Sequence, residues 1–396
     1  MNQHGVIFLA AASALVLTGC GGGSGSSTPA PDVPRYLSTI SVPNISSSSS
    51  TFSYDAGQVV DGFLYLTDRN NRSVDIVDAK KLIFTGLVTG SGATAFTGDG
   101  KTPDQSGPNS VQKIPGTNKL YATDVNSVKV IDTSTRQVVK VIDILDASGA
   151  KTGNRADGSC LDKDDNIFMT MSSADNFVTW IDATTDKVIN RFDFPDGTAG
   201  LEVCVYDPVS KKFFVNNDGT DTNPDGELDS FTAASVKSGV PPTLPNANRF
   251  ALPKCNPNGL DLGPGNDIIV ACDPSASGVE GRPLITLILD RSNGAILSTI
   301  PFGGSDLVNY DPATKRYFLG SRNWQNGGVY AKALPKNPSL GIIDAVTRKA
   351  LPPLPAGKGA HSVIIDSANF QVFVPYAPTP TDPVFGNGGI GVYGTH

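Results

Sequence analysis

The segment VKVIDTSTRQVVKVI, residues 128–142, consists of two apolar stretches on either side of a polar turn that begins at Asp132. β-Branched residues on both sides favour strands, and an aspartate side chain can accept hydrogen bonds from nearby backbone amides in a tight turn. The same phrase recurs four more times, with its aspartate at Asp78, Asp182, Asp290 and Asp344. We interpret each copy as a β-hairpin that forms half of a repeated unit.

A second phrase, again of two strands around a turn, precedes these hairpins. Examples are NSVQKIPGTNKLYATD (109–124), EVCVYDPVSKKFFVN (202–216) and HSVIIDSANFQVFVPY (361–376). The two phrases together make a four-stranded unit, and seven units recur at intervals of roughly 45 to 56 residues. Repeats of this size and strand content predict an all-β fold, a seven-bladed β-propeller of four-stranded antiparallel blades with little helix.

The last unit has only three strands before the chain reaches His396. The segment RYLSTISVP, residues 35–43, precedes the first unit and has the pattern of a strand. We expect this N-terminal strand to complete the last blade, which would close the ring and remove an open sheet edge. The propeller domain would then span residues 35–396.

The N-terminus has the pattern of an export signal. An apolar run of 13 residues, 5–17, is too short to span a bilayer and suits a signal peptide. It leads into LTGC, which resembles the bacterial lipobox, and this resemblance implies a signal peptide at 1–19 and a lipidated Cys20. Gly21 in place of Asp implies outer-membrane sorting. The start MNQH lacks the usual positive charge, so an ordinary secretory signal is the alternative.

Residues 20–34 comprise Cys20 and a stretch rich in Gly, Ser and Pro that is typical of a flexible tether. We therefore expect a lipid-anchored protein of the bacterial envelope, on the outer membrane facing the periplasm. Net charge is −7 with a pI near 5.0, and no basic run occurs, which argues against nucleic-acid binding. We expect a monomer that contacts the membrane only through its lipid and binds a small molecule or an envelope protein.

Polar residues open the first strand of every unit. In chain order they are Asp55, Asn109, Asp157, Glu202, Asn258, Asp306 and His361. The innermost strand of a propeller blade starts at the rim of the central channel, so we expect these side chains to converge on one ligand-binding pocket. The alternative is that Asp and Asn serve only as turn residues at these junctions.

A metal is one way to hold several carboxylates together. Glu202, Asn258 and Asp306 lie on three consecutive units, and their oxygen ligands suit Ca²⁺, Mg²⁺ or Mn²⁺. His361 would be a fourth ligand or a general base. We expect Glu202, Asn258 and Asp306 to face solvent at the mouth of the channel.

A second candidate metal site is the segment DTNPDGELD, residues 221–229. Asp221, Asn223 and Asp225 followed by Gly226 match the start of a calcium-binding loop, but the twelfth position is Thr232 instead of Glu. The alternative is a polar loop rich in turn residues.

Four cysteines follow Cys20, an even number that suggests disulfides in an exported protein. A hairpin centred near Pro264 would bring Cys255 and Cys272 together as one pair. Cys160 and Cys204 would form the other pair or stay as buried thiols.

The hairpin phrase and the HSVIID and QVFVPY strands resemble the YncE/YVTN-type seven-bladed propellers of bacterial envelopes. The segments CNPNGLDLGPGNDIIVACDP and ADGSCLDKDDNIFMTM are similar to strands of the SMP-30/gluconolactonase propellers, in which Glu, Asn and Asp at strand starts hold a divalent metal. We therefore expect an envelope lipoprotein that binds a ligand, a metal or a partner protein at its channel face. The alternative is a metal-dependent hydrolase of the lactonase type, with Asp306 or His361 as the base.

Overall fold

A computed structural model describes residues 33–49, 51–275 and 277–395 of the chain. These residues form seven four-stranded antiparallel sheets, the blades of a β-propeller, which confirms the predicted fold class. Helix is confined to one short α-helix, α1 (Ala233–Lys237), and four 3₁₀ turns within the described ranges. The 3₁₀ turns are Gly92–Thr94, Pro103–Gln105, Ser173–Asp175 and Asn246–Asn248.

The strands follow one another blade by blade after the first strand, β1 (Arg35–Ile40). Blade 1 contains β2–β5, at Tyr54–Val60, Phe63–Asp68, Ser73–Asp78 and Ile83–Val88. Blade 2 contains β6–β9, at Val111–Lys113, Lys119–Asp124, Ser127–Asp132 and Gln137–Asp143. Blade 3 contains β10–β13, at Ser159–Asp162, Ile167–Ser172, Phe177–Asp182 and Lys187–Asp193.

The remaining blades repeat this order. Blade 4 contains β14–β17, at Leu201–Asp207, Lys212–Asn217, Glu227–Thr232 and Arg249–Ala251. Blade 5 contains β18–β21, at Pro257–Leu262, Asp267–Cys272, Thr286–Asp290 and Ile296–Ile300. Blade 6 contains β22–β25, at Val308–Asp311, Arg316–Ser321, Ser339–Asp344 and Lys349–Pro355. Blade 7 contains β26–β28, at Ile364–Asp366, Gln371–Tyr376 and Gly389–Gly394, together with β1.

In blade 7, the strand nearest the N-terminus lies beside the last strand of the chain. β1 pairs antiparallel with β28, with Tyr36 opposite Tyr393 and Ile40 opposite Ile390. The sheet order is β1-β28-β27-β26, so β1 takes the outer position that the fourth strand occupies in the other blades.

The aspartate-led turns form as their sequence indicates. Asp132 Oδ1 accepts hydrogen bonds from the backbone amides of Ser134 and Thr135, at 2.8 and 3.3 Å. Arg136 follows with a φ of 55°, and the pairing of β8 with β9 shifts register between Val130 and Ile131. A left-handed residue and a bulge after the turn are typical of longer hairpin loops, and they add twist to the outer strands.

The apolar core lies between neighbouring blades. Between blades 3 and 4, for example, Trp180, Phe213 and Phe231 are at most 1% exposed and pack edge to face, with ring centroids 5.2 to 6.4 Å apart. The middle strands are therefore almost wholly buried, while the outer strands consist mostly of exposed and half-buried residues. This packing leaves the inner strands to line the channel.

Candidate functional site

The inner strands of all seven blades surround a central cavity of about 830 Å³. All of the residues that we expected to form a ring line this cavity. They are Asp55, Asn109, Asp157, Glu202, Asn258, Asp306 and His361. Asp55, Glu202 and Asn258 lie within their strands, whereas the others stand two or three residues before β6, β10, β22 and β26. The predicted role of these residues in binding stays a prediction.

Close contact between blades explains the glycines that follow two ring residues. A Cβ on Gly158 would lie 2.3 Å from the carbonyl oxygen of Glu202, and one on Gly259 would lie 2.2 Å from that of Asp306. Any side chain there would clash with the backbone of the next blade. The Asp-Gly and Asn-Gly pairs therefore allow adjacent inner strands to approach, which draws their ring residues together.

The three ring residues that we expected to face solvent are less exposed than predicted. Asn258 is only 6% exposed, so the expectation that it faces solvent is wrong, while Glu202 and Asp306 are half-buried. The reason is the same close approach of blades, because the backbone carbonyls of Asn258 and Gly259 accept hydrogen bonds from the buried Asn216 side chain.

Three arginines that the sequence analysis did not identify line the same cavity. Arg69 bonds the carboxylate of Asp55 and donates from Nε to Asn109 Oδ1 at 3.2 Å. Arg155 lies 2.6 Å from Asp157, measured between guanidinium nitrogen and carboxylate oxygen. Arg322 lies 2.9 Å from Asp306 in the same way. These ion pairs offset much of the repulsion that we expected among the ring carboxylates.

Two of these arginines could have been found in the sequence by aligning the repeats a second time, on the ends of their second strands. Arg69, Asp218 and Arg322 each follow directly after the last residue of a second strand, at the edge of the channel where the first strand starts. Aligning the repeats on the ends of their second strands therefore reveals a second set of channel residues. Arg155 precedes its partner Asp157 by two residues, in the loop between blades 2 and 3.

Glu202 and Asp218 form the part of the ring that has no arginine. Neither makes an ion pair with a Lys or Arg within 4.0 Å among the described residues. A Cβ on Gly200 would lie 3.1 Å from Glu202 Oε1 and 3.1 Å from Asp218 Oδ2, so the two carboxyl groups are neighbours. Burial, and then repulsion from Asp218, raises the pKa of Glu202 well above its usual range. Burial, and then the charge of Asp306, raises the pKa of Asp218 to about 8.

Two buried oxygens at this part of the cavity accept no hydrogen bond from the described chain. They are Oδ1 of Asp218, which is 7% exposed, and Oδ1 of Asn258. A buried acceptor without a donor loses the hydrogen bonds it would make in water. These atoms can therefore turn to a donor in the cavity without losing an existing hydrogen bond.

His361 is held on the opposite side of the ring, in blade 7. Its Nδ1 lies 2.7 Å from the carbonyl oxygen of Gly359, and its ring stacks on Tyr54. Burial, and then the positive charge of Arg322, lowers the pKa of His361 below its usual range. The side chain is consequently neutral at pH 7, with Nδ1 as donor and Nε2 as the nitrogen that can accept a proton or a ligand.

Two disulfides join the four cysteines of the described residues. The first joins Cys255 to Cys272 within blade 5, with an S–S distance of 2.05 Å. The second joins Cys160 of β10 to Cys204 of β14, at 2.08 Å, and so links the inner strands of blades 3 and 4. Cys160 and Cys204 also line the cavity wall.

The loop that resembles a calcium site uses its side chains for other contacts. Asp225 forms an ion pair with Arg282 at 2.7 Å and accepts a hydrogen bond from the backbone amide of Lys254. Asn223 donates a hydrogen bond to the Glu227 carboxylate at 2.5 Å. Asp221 is exposed and lies on a smaller pocket. Within residues 33–49, 51–275 and 277–395, no group of three or more His, Cys, Asp or Glu side chains is placed to hold a metal ion. The metal assignments stay predictions.

Cys20 and the signal and tether segments lie outside the described residues. In the part of the chain that is described, no helix has the length and apolar character needed to cross a bilayer. The lipid anchor stays a prediction.

Comparison with known proteins supports the fold alone. No protein-family model matches the chain, and no curated protein matches it. Among solved structures, a chain of hydrazine synthase from Kuenenia stuttgartiensis is similar, with a TM-score of 0.61 and 16% identity over 89% of this chain and 98% of that one. A chain from the crystal structure of a mitotic checkpoint complex has a TM-score of 0.57 and 10% identity over 99% of both chains. The protein is thus a seven-bladed β-propeller, a fold that hosts many unrelated functions.

Proposed function

We propose that this protein is an envelope lipoprotein whose propeller binds a small polar ligand in its central cavity, without catalysing a reaction. The observation that carries the proposal is the convergence of seven polar side chains, one per blade, on a cavity of about 830 Å³. Cavities of this size suit small organic molecules, and a few convergent polar groups provide their specificity.

The charges around the ring favour binding over catalysis. Asp55, Asp157 and Asp306 each lie in an ion pair with an arginine, which holds these carboxylates in one place and occupies at least one oxygen of each. Side chains held in this way are suited to orienting a polar ligand. Because they are already ordered, binding a ligand does not cost the conformational entropy of fixing them.

A thermal-shift screen of small amines, carboxylic acids and sugars tests this function. We expect at least one compound to raise the melting temperature of the wild-type chain. The same compound should not raise the melting temperature of Arg155→Gln, because this variant lacks a side chain that lines the cavity. A matched control is Lys151→Gln, which changes an exposed cation that pairs with Asp143 at the surface. Equal shifts for all three proteins would contradict binding in the cavity.

The lipid anchor is a separate part of the proposal, supported by the lipobox-like LTGC and the tether that follows it. Cys20→Ser should release the protein from the membrane fraction. Mass spectrometry of the mature wild-type N-terminus should show acyl groups on Cys20. A wild-type chain that is cut elsewhere and carries no acyl mass would contradict anchoring and leave the cavity proposal unaffected.

A metal-dependent hydrolase of the lactonase type is the second candidate. Glu202, Asn258 and Asp306 line one cavity with His361, and the free Oδ1 of Asn258 fits a metal ligand. Asp306 fits less well because Arg322 already pairs with it. When bound, the ion would polarise an ester carbonyl, and neutral His361 would accept a proton at Nε2. Elemental analysis of the purified chain together with a lactone hydrolysis assay tests this candidate, which requires one divalent ion per chain and turnover.

A further inference from the structure

The sector of the cavity made by Glu202, Asp218 and Asn258 differs from the rest of the ring in its charge. Elsewhere each ring carboxylate has an arginine within 4.0 Å, but this sector has two carboxyl groups and no basic partner among the described residues. The two carboxyl groups are neighbours, since a Cβ on Gly200 would lie 3.1 Å from an oxygen of each. A cation in this sector would therefore provide the favourable interaction that the chain itself does not.

A second observation is independent of the charge. Asp218 and Asn258 are 7% and 6% exposed, both line the cavity, and Oδ1 of each lacks a hydrogen-bond donor. These buried oxygens lack a partner that replaces the hydrogen bonds they would make in water, and the N–H groups of a cationic ligand would supply both the donors and the charge.

We infer that this sector binds the protonated primary amine of a small organic ligand, an inference that rests on the proposed ligand-binding function. The sector presents three acceptor side chains, Glu202, Asp218 and Asn258, and a primary ammonium group has three N–H donors that point in different directions. A calcium ion would need six to eight oxygen ligands, more than this sector presents. The carboxylates that remain in the ring are already paired with arginines.

The neighbouring walls indicate how the rest of such a ligand would lie. Leu262 and Leu307 line the cavity and are half-buried, so an alkyl chain attached to the amine has apolar surface to contact. Arg322 lies farther along the same wall and is more exposed than the other two ring arginines, at 36% against 10% and 15% for their side chains.

The experiment compares four probes with the same four-carbon chain: 1-aminobutane, 1-butanol, butyrate and 4-aminobutyrate. Binding to the full chain is measured at pH 7 by saturation-transfer NMR, which detects weak ligands. We expect the two amines to bind and 1-butanol and butyrate to bind at least tenfold more weakly. Glu202→Gln and Asp218→Asn should each weaken amine binding at least tenfold.

The matched control is Asp143→Asn, which removes one negative charge at an exposed position away from the cavity. It should bind amines like the wild type, which excludes general attraction to an acidic protein. Thermal melts of each variant establish that it is folded, and Asp218→Asn should melt no lower than the wild type because it removes a buried acid with a raised pKa.

The outcomes separate this inference from the proposed function. One possible outcome is that 1-butanol or butyrate binds as well as the amines, and that Arg155→Gln abolishes binding while Asp218→Asn does not. The cavity then binds ligands, but the assignment to an amine is overturned. If amines bind equally to the wild type, Glu202→Gln, Asp218→Asn and Arg155→Gln, both are overturned. If no probe binds the wild type, the amine assignment is overturned, and the thermal-shift screen decides the proposed function.

Discussion

The imidazole ring of His361 stacks on the phenol ring of Tyr54, with centroids 4.5 Å apart and planes 6° from parallel. Tyr54 in turn donates from its hydroxyl group toward the carbonyl oxygens of Gly359 and Pro375, at 2.6 and 2.5 Å. Because Gly359 also accepts from His361, one carbonyl fixes both rings. Tyr54 belongs to blade 1 and His361 to blade 7, so this contact joins the first and last blades at the cavity.

We predict that His361 titrates below its ordinary pKa of about 6.5. Burial is the main cause, and the charge of Arg322 adds to it. The folded state then resists protonation while the unfolded state takes up a proton, so stability is lost as the pH falls through about 6.5. NMR titration of the imidazole resonances, assigned by comparison with His361→Gln, measures this pKa. A value at or above 6.5 would show that the site stabilises the imidazolium ion.

Asp218→Asn should stabilise the protein at alkaline pH. An acid whose pKa rises from 3.8 to about 8 on folding costs stability as the pH rises between these values, because the unfolded state ionises first. The variant and the wild type should therefore melt together near pH 4, and the variant should be more stable by about 0.5–2 kcal/mol at pH 8, the usual size of a stabilising single substitution.

The control for Asp218→Asn is Asp143→Asn, which lies at an exposed ion pair and should show no such pH-dependent difference. Unfolding free energies from denaturant melts at pH 4, 6 and 8 provide the comparison. A stability difference that shrinks as the pH rises would contradict the raised pKa of Asp218.

The two disulfides should differ in their contribution to stability. The Cys160–Cys204 bond closes 44 residues and the Cys255–Cys272 bond closes 17. Loop-closure entropy then predicts losses of about 4 and about 3 kcal/mol when each pair is replaced by serine. Denaturant unfolding of the two double variants measures these losses. A larger loss for the Cys255–Cys272 pair would show that local packing outweighs the entropy of the closed loop.

Deleting residues 35–43 should destabilise the whole propeller. The deletion removes β1 and leaves β28 as an unpaired edge, and it takes Ile40 and Val42 out of the core cluster that contains Ile390 and Val392. Loss of two buried aliphatic side chains alone costs about 4 kcal/mol or more. Deletion of residues 21–28, which lie outside the described residues, should leave the thermal melt unchanged because their composition is that of a tether. Equal melts for the two deletions would mean that β1 adds nothing to blade 7.

The blades and the composition of the ring could be predicted from local sequence. Strand alternation, aspartate-led turns and a fixed repeat length depend on residues that are close in the chain, so each hairpin is specified by its own segment. The repeat also places Asp157 and Glu202 at equivalent positions, and symmetry then brings them to one cavity even though the sequence contains no information about their distance.

The partners of the ring residues depended on tertiary structure. Arg69 reaches Asn109 across 40 positions of sequence, and Cys160 bonds to Cys204 from the adjacent blade. Nothing local distinguishes Asp306, which pairs with Arg322, from Asp218, which has no Lys or Arg within 4.0 Å in the described part of the chain. The physical reason is that charge compensation depends on which side chains the folded blades bring together at the channel, as they bring Asp55 to Arg69 and Asp306 to Arg322.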